Sequence, residues 1–266
     1  MKQYKFTKPV ARKLLMKLFG SRDNIEMNAA TAVRVGELFG ISENTIRVTL
    51  NRLQSANLLA LVERGYYRLG ESGQQFASEI NQWREAEAQL TQWQQDWLVV
   101  QTNALAKSDK TLQRSTARAL DLVGMEKLAP DMYVRPDNLK GSAEGIRQKL
   151  HNLGLARRAL VFRASDFDEV THIKACKLWQ TPALESGYKQ GIQELEISLE
   201  KLTALPLDVA TKESYEVGDR ALHRLVFDPL LPEPLVDVAL RQRYRLLVKQ
   251  YDDVGAEIWH QFLQNV

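Results

Sequence analysis

GISENTIRVTLNRLQSANLLALVERGYYRL, residues 40–69, decides how this chain folds. Gly40-Ile41-Ser42 reads as a short turn, and Ser42 is a good N-cap for a helix from Glu43 to about Ala56. Glu or Gln is absent three residues after Ser42, so the fuller capping box is missing. Ile46, Leu50 and Leu53 recur at i, i+4, i+7 and predict the buried face of that helix. Over residues 58–69 the period changes. Leu59, Leu61, Tyr67 and Leu69 predict two short strands around Glu63-Arg64-Gly65.

Outward toward the N-terminus, KPVARKLLMKLFG (8–20) places Val10, Leu14, Leu15 and Leu18 at helical spacing before Gly20. ATAVRVGELF (30–39) reads as a second helix with Ala30, Val33 and Leu38 facing inward. Helix, helix, turn, helix and hairpin, in that order, predict a winged helix-turn-helix over 1–70. Outward toward the C-terminus, residues 71–94 carry Phe76, Ile80, Trp83 and Leu90 at helical steps, an amphipathic connector helix. Strands at 97–102, 131–134 and 158–163 alternate with helices at 110–124 and 145–153. This mixture predicts a ferredoxin-like α+β domain over 95–170. Residues 171–266 predict an all-helical domain, interrupted by the Pro-rich segment 228–234. The expected class is therefore a multidomain α+β protein.

The chain has 266 residues and a net charge of +3, which says little as a total. Residues 1–70 hold 12 Lys and Arg against five Asp and Glu, a balance of +7, which leaves −4 for the rest. A basic head on a mildly acidic body is the electrostatic pattern of a nucleic-acid-binding module. No apolar run approaches the length of a membrane-spanning helix, and MKQYKFTKPV at the start has no apolar core of a signal peptide. A cytoplasmic protein without a membrane partner is expected. The single cysteine, Cys176, excludes an intrachain disulfide framework and a Cys-based zinc module.

The third helix carries the sharpest chemistry. Opposite its apolar face lie Asn44, Arg47, Val48 and Asn51. Asn pairs bidentately with adenine and Arg with guanine in a major groove. Thr45, Thr49 and Arg52 flank that face and suit phosphate contacts. Arg64 at the hairpin tip and Arg68 on the return strand form a modestly basic wing. Arg220, His223, Arg224 and Phe227 share one face of a later helix, where the two guanidiniums and the imidazole suit an anionic effector. An ion-pair network with Glu216, Asp219 or Asp228 is the competing reading of the same residues.

Enzyme signals are weak. His151, His172, His223 and His260 are scattered, and His172 with Cys176 at i, i+4 has no second pair to complete a metal site. Gly-x-Ser-x-Gly, a phosphate-cradling Gly loop with Lys-Ser/Thr and Gly-x-Gly-x-x-Gly are all absent. No enzymatic activity, cofactor or metal is expected.

Seven segments in order resemble the PaaX-type repressors of bacterial phenylacetate catabolism. They are MKLFG (16–20), NTIRVTLNRL (44–53), YYRL (66–69) with Gly73, WLVVQT (97–102), LAPDMYVRPDNL (128–139), LWQTPALESGYKQ (178–190) and ALHRLVFDPLLPEPL (221–235). The resemblance implies a winged helix, a ferredoxin-like domain and a helical domain. It also implies a homodimer that represses a catabolic operon and is released by an aryl-acyl-CoA such as phenylacetyl-CoA. Arg47 and Arg52 fall where the family's recognition helix meets DNA. The chain departs from the family in a shorter, less basic wing. It also has Val236-Asp237-Val238-Ala239 where the family commonly has Trp-Pro-Gly. The central segment further resembles small CRISPR-associated nucleases, the alternative reading. Gln101, Thr102 and Asn103 stand where those need a metal-binding acid.

Overall fold

The computed structural model describes residues 9–20, 25–63, 65–105 and 108–265. Over these it is an α+β protein with ten α-helices, two small antiparallel sheets and a helical C-terminal region. The chain divides into two compact units. Among the described residues, one comprises those up to Arg84 with Glu194–Ala221 and those from Leu247 on, and the other Glu85–Gln193 and Leu222–Leu246.

The first unit opens with α1 (Ala11–Phe19), β1 (Met27–Asn28), α2 (Ala29–Leu38) and α3 (Glu43–Ser55). The hairpin β2 (Leu59–Glu63) and β3 (Tyr66–Leu69) follows, then α4 (Glu71–Asn81). The two-residue strand β1 pairs with β3, so the sheet runs β1-β3-β2. Asn28 ends β1 and caps α2, its side-chain oxygen accepting from the Thr31 N–H at 2.8 Å. Ser42 caps α3 in the same way through the Thr45 N–H. Leu14, Leu15, Phe19, Ala32, Val35, Ile46, Leu50 and Leu59 are fully buried and form this unit's core, which Tyr215 and Phe262 complete. Gly36 is required there. A Cβ on it would stand 2.6 Å from the Ile46 side chain, so only glycine lets α2 and α3 approach this closely.

Two expectations for the head are corrected. Val10, expected within the first helix by its spacing, precedes α1 as its N-cap and is 66% exposed. The α2 register buries Ala32, Val33, Val35 and Gly36 and packs the half-buried Leu38 against the core, which leaves Ala30 alone of the expected inward residues exposed. Leu61 lies in β2 opposite Tyr67, ahead of a bulge before Glu63, and its side chain is exposed. The connector is also shorter than expected. The α-helix stops at Asn81 and a 3-10 helix covers Gln82–Gln89.

The second unit holds β4 (Trp97–Gln101), α5 (Lys110–Val123), β5 (Glu126–Ala129), β6 (Met132–Pro136), α6 (Ser142–Asn152), β7 (Leu160–Ala164) and α7 (Glu169–Cys176). Its sheet is wholly antiparallel with strand order β5-β6-β4-β7. Leu98, Val100 and Val161 from one face pack with Ala119, Leu120 and Val123 of α5 and Ile146 and Leu150 of α6. Asp109 starts α5 by accepting from the Thr111 and Leu112 N–H groups, and Gly124 ends it in the left-handed region. Strand β5 was absent from the sequence expectation. Its sequence, EKLA, has one apolar residue larger than alanine, and a bulge distorts it.

Trp97 is fully buried on the other face. The rings of Trp93, Phe167, His172 and Trp179 lie 5.3–6.2 Å from it. Its indole N–H donates to His172 Nδ1 at 3.3 Å, and His172 Nε2 lies 3.5 Å from the Cys176 sulfur. Arg135, also buried, donates to the carbonyls of Val123, Pro136 (3.2 Å) and Pro229 (3.3 Å) and to Asn138 Oδ1 (3.0 Å). Asn138 in turn donates to the Leu230 carbonyl at 2.8 Å. These contacts join residues 135–138 to the Pro-rich segment. Burial pulls the Arg135 guanidinium down to about 10.

Three long helices complete the chain: α8 (Thr181–Leu202), α9 (Leu207–Val226) and α10 (Val238–Gln264). Each contributes residues to both units. Among the described residues no helix is long and apolar enough to cross a membrane.

Candidate nucleic-acid interface

The burial of α3 follows directly from its apolar spacing. Ile46 and Leu50 are fully buried and Leu53 nearly so, which turns the rest of the helix outward. Asn44, Thr45, Arg47, Val48, Asn51 and Arg52 are all exposed and Thr49 is half-exposed. At about 100° per residue, Asn44, Val48, Asn51 and Ser55 form one outer stripe at i, i+4, i+7, i+11. Arg47 and Arg52 stand on its two flanks. Val48, Asn51, Arg52, Ser55 and Ala56 line a shallow open depression on this side. Ser55 and Ala56 were missed in the sequence, although Ser55 continues the Asn51 row by one turn.

Several of these side chains already have local partners. Arg47 Nε donates to Glu43 Oε1 at 2.7 Å, an i, i+4 pair with both members more than half exposed. The Thr45 and Ser42 hydroxyls share a hydrogen bond of 2.8 Å. Thr49 Oγ1 donates to the Thr45 carbonyl at 2.7 Å, and Ser55 Oγ to the Asn51 carbonyl at 2.9 Å. The Asn44 and Asn51 amides and the Arg52 guanidinium carry no such bond among the described residues. The helix therefore holds the Thr49 and Ser55 hydroxyls on its own backbone and the Thr45 hydroxyl on Ser42, and leaves two amides and one guanidinium available to a ligand.

Among the described residues the hairpin exposes two charged side chains, Glu63 and Arg68. Arg68 is exposed on β3, opposite Ala60 in the sheet. Arg64, expected at the tip, lies outside the described residues. Around the tip Leu61, Val62 and Tyr66 are exposed, together with Glu63.

The basic surplus of the head is narrower than its residue count. Asp219, whose side chain is 3% exposed, accepts from Lys13 at 2.7 Å and lies 2.6 Å from Lys17. Burial pushes the Lys17 ammonium below its ordinary value, against the attraction of Asp219. Arg34 pairs with Asp208 at 3.1 Å and with Glu37 at 3.5 Å. Three of the cations that make the first 70 residues basic are thus paired within this unit, and Asp219 and Asp208 together offset two of their three charges.

The residues expected to hold an effector are engaged by neighbours. Arg220 pairs with Glu194 at 2.5 Å. The His223 ring packs on Phe227 at 4.7 Å. Arg224 lies over the Tyr244 ring and donates to its hydroxyl at 3.3 Å. Two of the acids named from sequence as their partners hold other groups as well. Asp219 takes the two lysines, and Asp228, buried and raised by desolvation, accepts from Tyr188 at 2.8 Å. Glu194 was missed because it lies on α8, and sequence spacing within α9 carries no information about it.

No family model and no curated protein matches the chain. Among solved structures it is similar to the uncharacterized protein Rv0674 from Mycobacterium tuberculosis. The identity is 18% and the TM-score 0.59, over 93% of this chain and 99% of that one. The two chains share a fold along nearly their whole lengths.

Proposed function

We propose that the chain is a sequence-specific DNA-binding regulator of transcription whose recognition helix is α3. One observation carries this reading: the α3 side chains that can read base edges stand on the surface opposite a fully buried apolar face. In this reading the first unit contains a winged helix-turn-helix over residues 1–70. The β1-β3-β2 sheet beside α2 and α3 supports it. Residues 95–170 form a ferredoxin-like domain, supported by the order βαββαβ and by strand order β5-β6-β4-β7. Residues 71–94 connect the two, and 171–266 form the helical part.

The family resemblance extends the proposal to a PaaX-like, cytoplasmic, homodimeric repressor of a catabolic operon. Its effector would be a CoA thioester such as phenylacetyl-CoA. Two recognition helices in a dimer fit a pseudo-palindromic operator with half-sites one or more helical turns apart. An effector that binds the DNA-free arrangement more tightly than the DNA-bound one would release the operator.

The test is footprinting of the region upstream of the protein's own gene, followed by addition of acyl-CoA thioesters. A protected, pseudo-symmetric site that one thioester releases is the expected result. Replacing Arg47 by Ala should cost about 1–3 kcal/mol at that site if the guanidinium reads a guanine. An equal loss on random DNA would make Arg47 a phosphate contact instead. Uniform weak protection along the fragment would refute sequence-specific regulation.

A further inference from the structure

The stripe that α3 presents is uncharged along its centre. Asn44, Val48 and Asn51 point away from the buried Ile46, Leu50 and Leu53, and the two arginines lie to either side. Val48 is 39% exposed in the middle of that stripe, where an aliphatic side chain gains nothing from water. Arg47, the side chain suited to guanine, is held by Glu43 on the same helix. Asn44 and Asn51 keep their amides available, and an Asn amide matches the N6 and N7 edge of adenine. An apolar side chain between them matches the one apolar feature of the major groove, the thymine 5-methyl group.

We infer that this helix reads a half-site with an A·T core, in which Val48 packs on a thymine methyl and Asn44 and Asn51 pair with flanking adenines. The inference rests on the DNA-binding reading and adds the identity of the bases. Asn44 and Asn51 are seven residues apart, about 10 Å along the helix axis. With base pairs about 3.4 Å apart, the stripe spans about three steps of the duplex. Val48 therefore faces the base pairs between the two adenines. Arg47 and Arg52 are placed for the phosphates on either side.

The experiment selects binding sites from a random duplex library with the full chain. It then replaces each thymine of the selected site by deoxyuridine, one at a time. Removing one methyl from an apolar contact weakens binding by up to about fourfold. The expected result is an A·T core in the selected motif and one thymine whose replacement costs the wild type about three- to fourfold. In Val48→Ala, an exposed position whose change leaves the core intact, that same replacement should cost nothing. A G·C core, tolerance of deoxyuridine at every thymine, or an equal penalty in Val48→Ala would overturn this inference and leave sequence-specific binding standing. Failure to select any motif would overturn the DNA-binding reading itself, and this inference with it.

Discussion

Asp219→Asn tests how the head is tied to α9. The carboxylate is 3% exposed and holds two ammonium groups, Lys13 at 2.7 Å and Lys17 at 2.6 Å. Removing one partner of a fully buried ion pair costs about 3–5 kcal/mol, because the other charge is left without compensation. Here the lysines are partly open to solvent, at 41% for Lys13 and 24% for Lys17, and each can turn toward water. Lys17 also keeps the Tyr215 ring, 4.9 Å away. The expected loss is therefore smaller, about 2 kcal/mol.

The loss should also depend on pH. Burial holds the folded-state pKa of Lys17 below its ordinary 10.5, so the unfolded chain binds more protons between those two values. Stability contributed by this group therefore rises as pH climbs through that window. Without Asp219 the depression deepens and the window opens at lower pH, so the variant should regain part of its lost stability in alkaline buffer. Urea denaturation followed by circular dichroism at neutral and alkaline pH measures both effects. A loss below about 0.5 kcal/mol would refute the pairing as a structural tie. A loss that grows with pH would refute the desolvation of Lys17.

Glu43→Gln should raise affinity for DNA about two- to fivefold by anisotropy titration, because it frees Arg47 and removes a carboxylate from the surface offered to phosphates. A fall in affinity would contradict the assignment of that surface. Arg135→Met should lower stability by about 3 kcal/mol or more in thermal denaturation, since it leaves the buried carbonyls of Val123 and Pro229 without their donor. Wild-type stability in this variant would show that the guanidinium is not needed to hold the Pro-rich segment. Burial raises the Cys176 thiol, so iodoacetamide at pH 7 should label it more slowly than free cysteine. Faster labelling would mean an activated thiolate beside His172.

Much of the head was legible because its elements are long and regularly spaced. Ile46, Leu50 and Leu53 announce the buried face of α3, and Ser42 announces its start. The same pattern exposes Asn44, Val48 and Asn51, so most of the candidate site could be read from one helical period. Strand β1 was not legible. Two residues cannot establish an alternation, and Met27 and Asn28 become a strand only by pairing with Tyr67 and Tyr66. Val10 and Ala30 misled because an apolar residue at a helix end fits the period of the helix while lying beyond its packed face. The charge count misled for a different reason. Lys13 and Lys17 share one acid about 200 positions away, and Arg34 pairs with Asp208. Such long-range pairing is set by tertiary structure and leaves no local mark. Arg220 and Glu194 repeat the lesson across two helices.

The central claim is that α3 reads DNA sequence. Its most direct test is fluorescence anisotropy of the full chain on labelled duplex from upstream of its own gene, with random duplex as competitor, at two salt concentrations. Wild-type protein should bind in the presence of excess competitor and weaken steeply as salt rises, through release of counterions from the phosphates. Asn51→Ala should lose that preference while keeping the weaker, salt-dependent binding to random DNA. Equal affinity for both duplexes in the wild type, or a preference that survives Asn51→Ala unchanged, would contradict it.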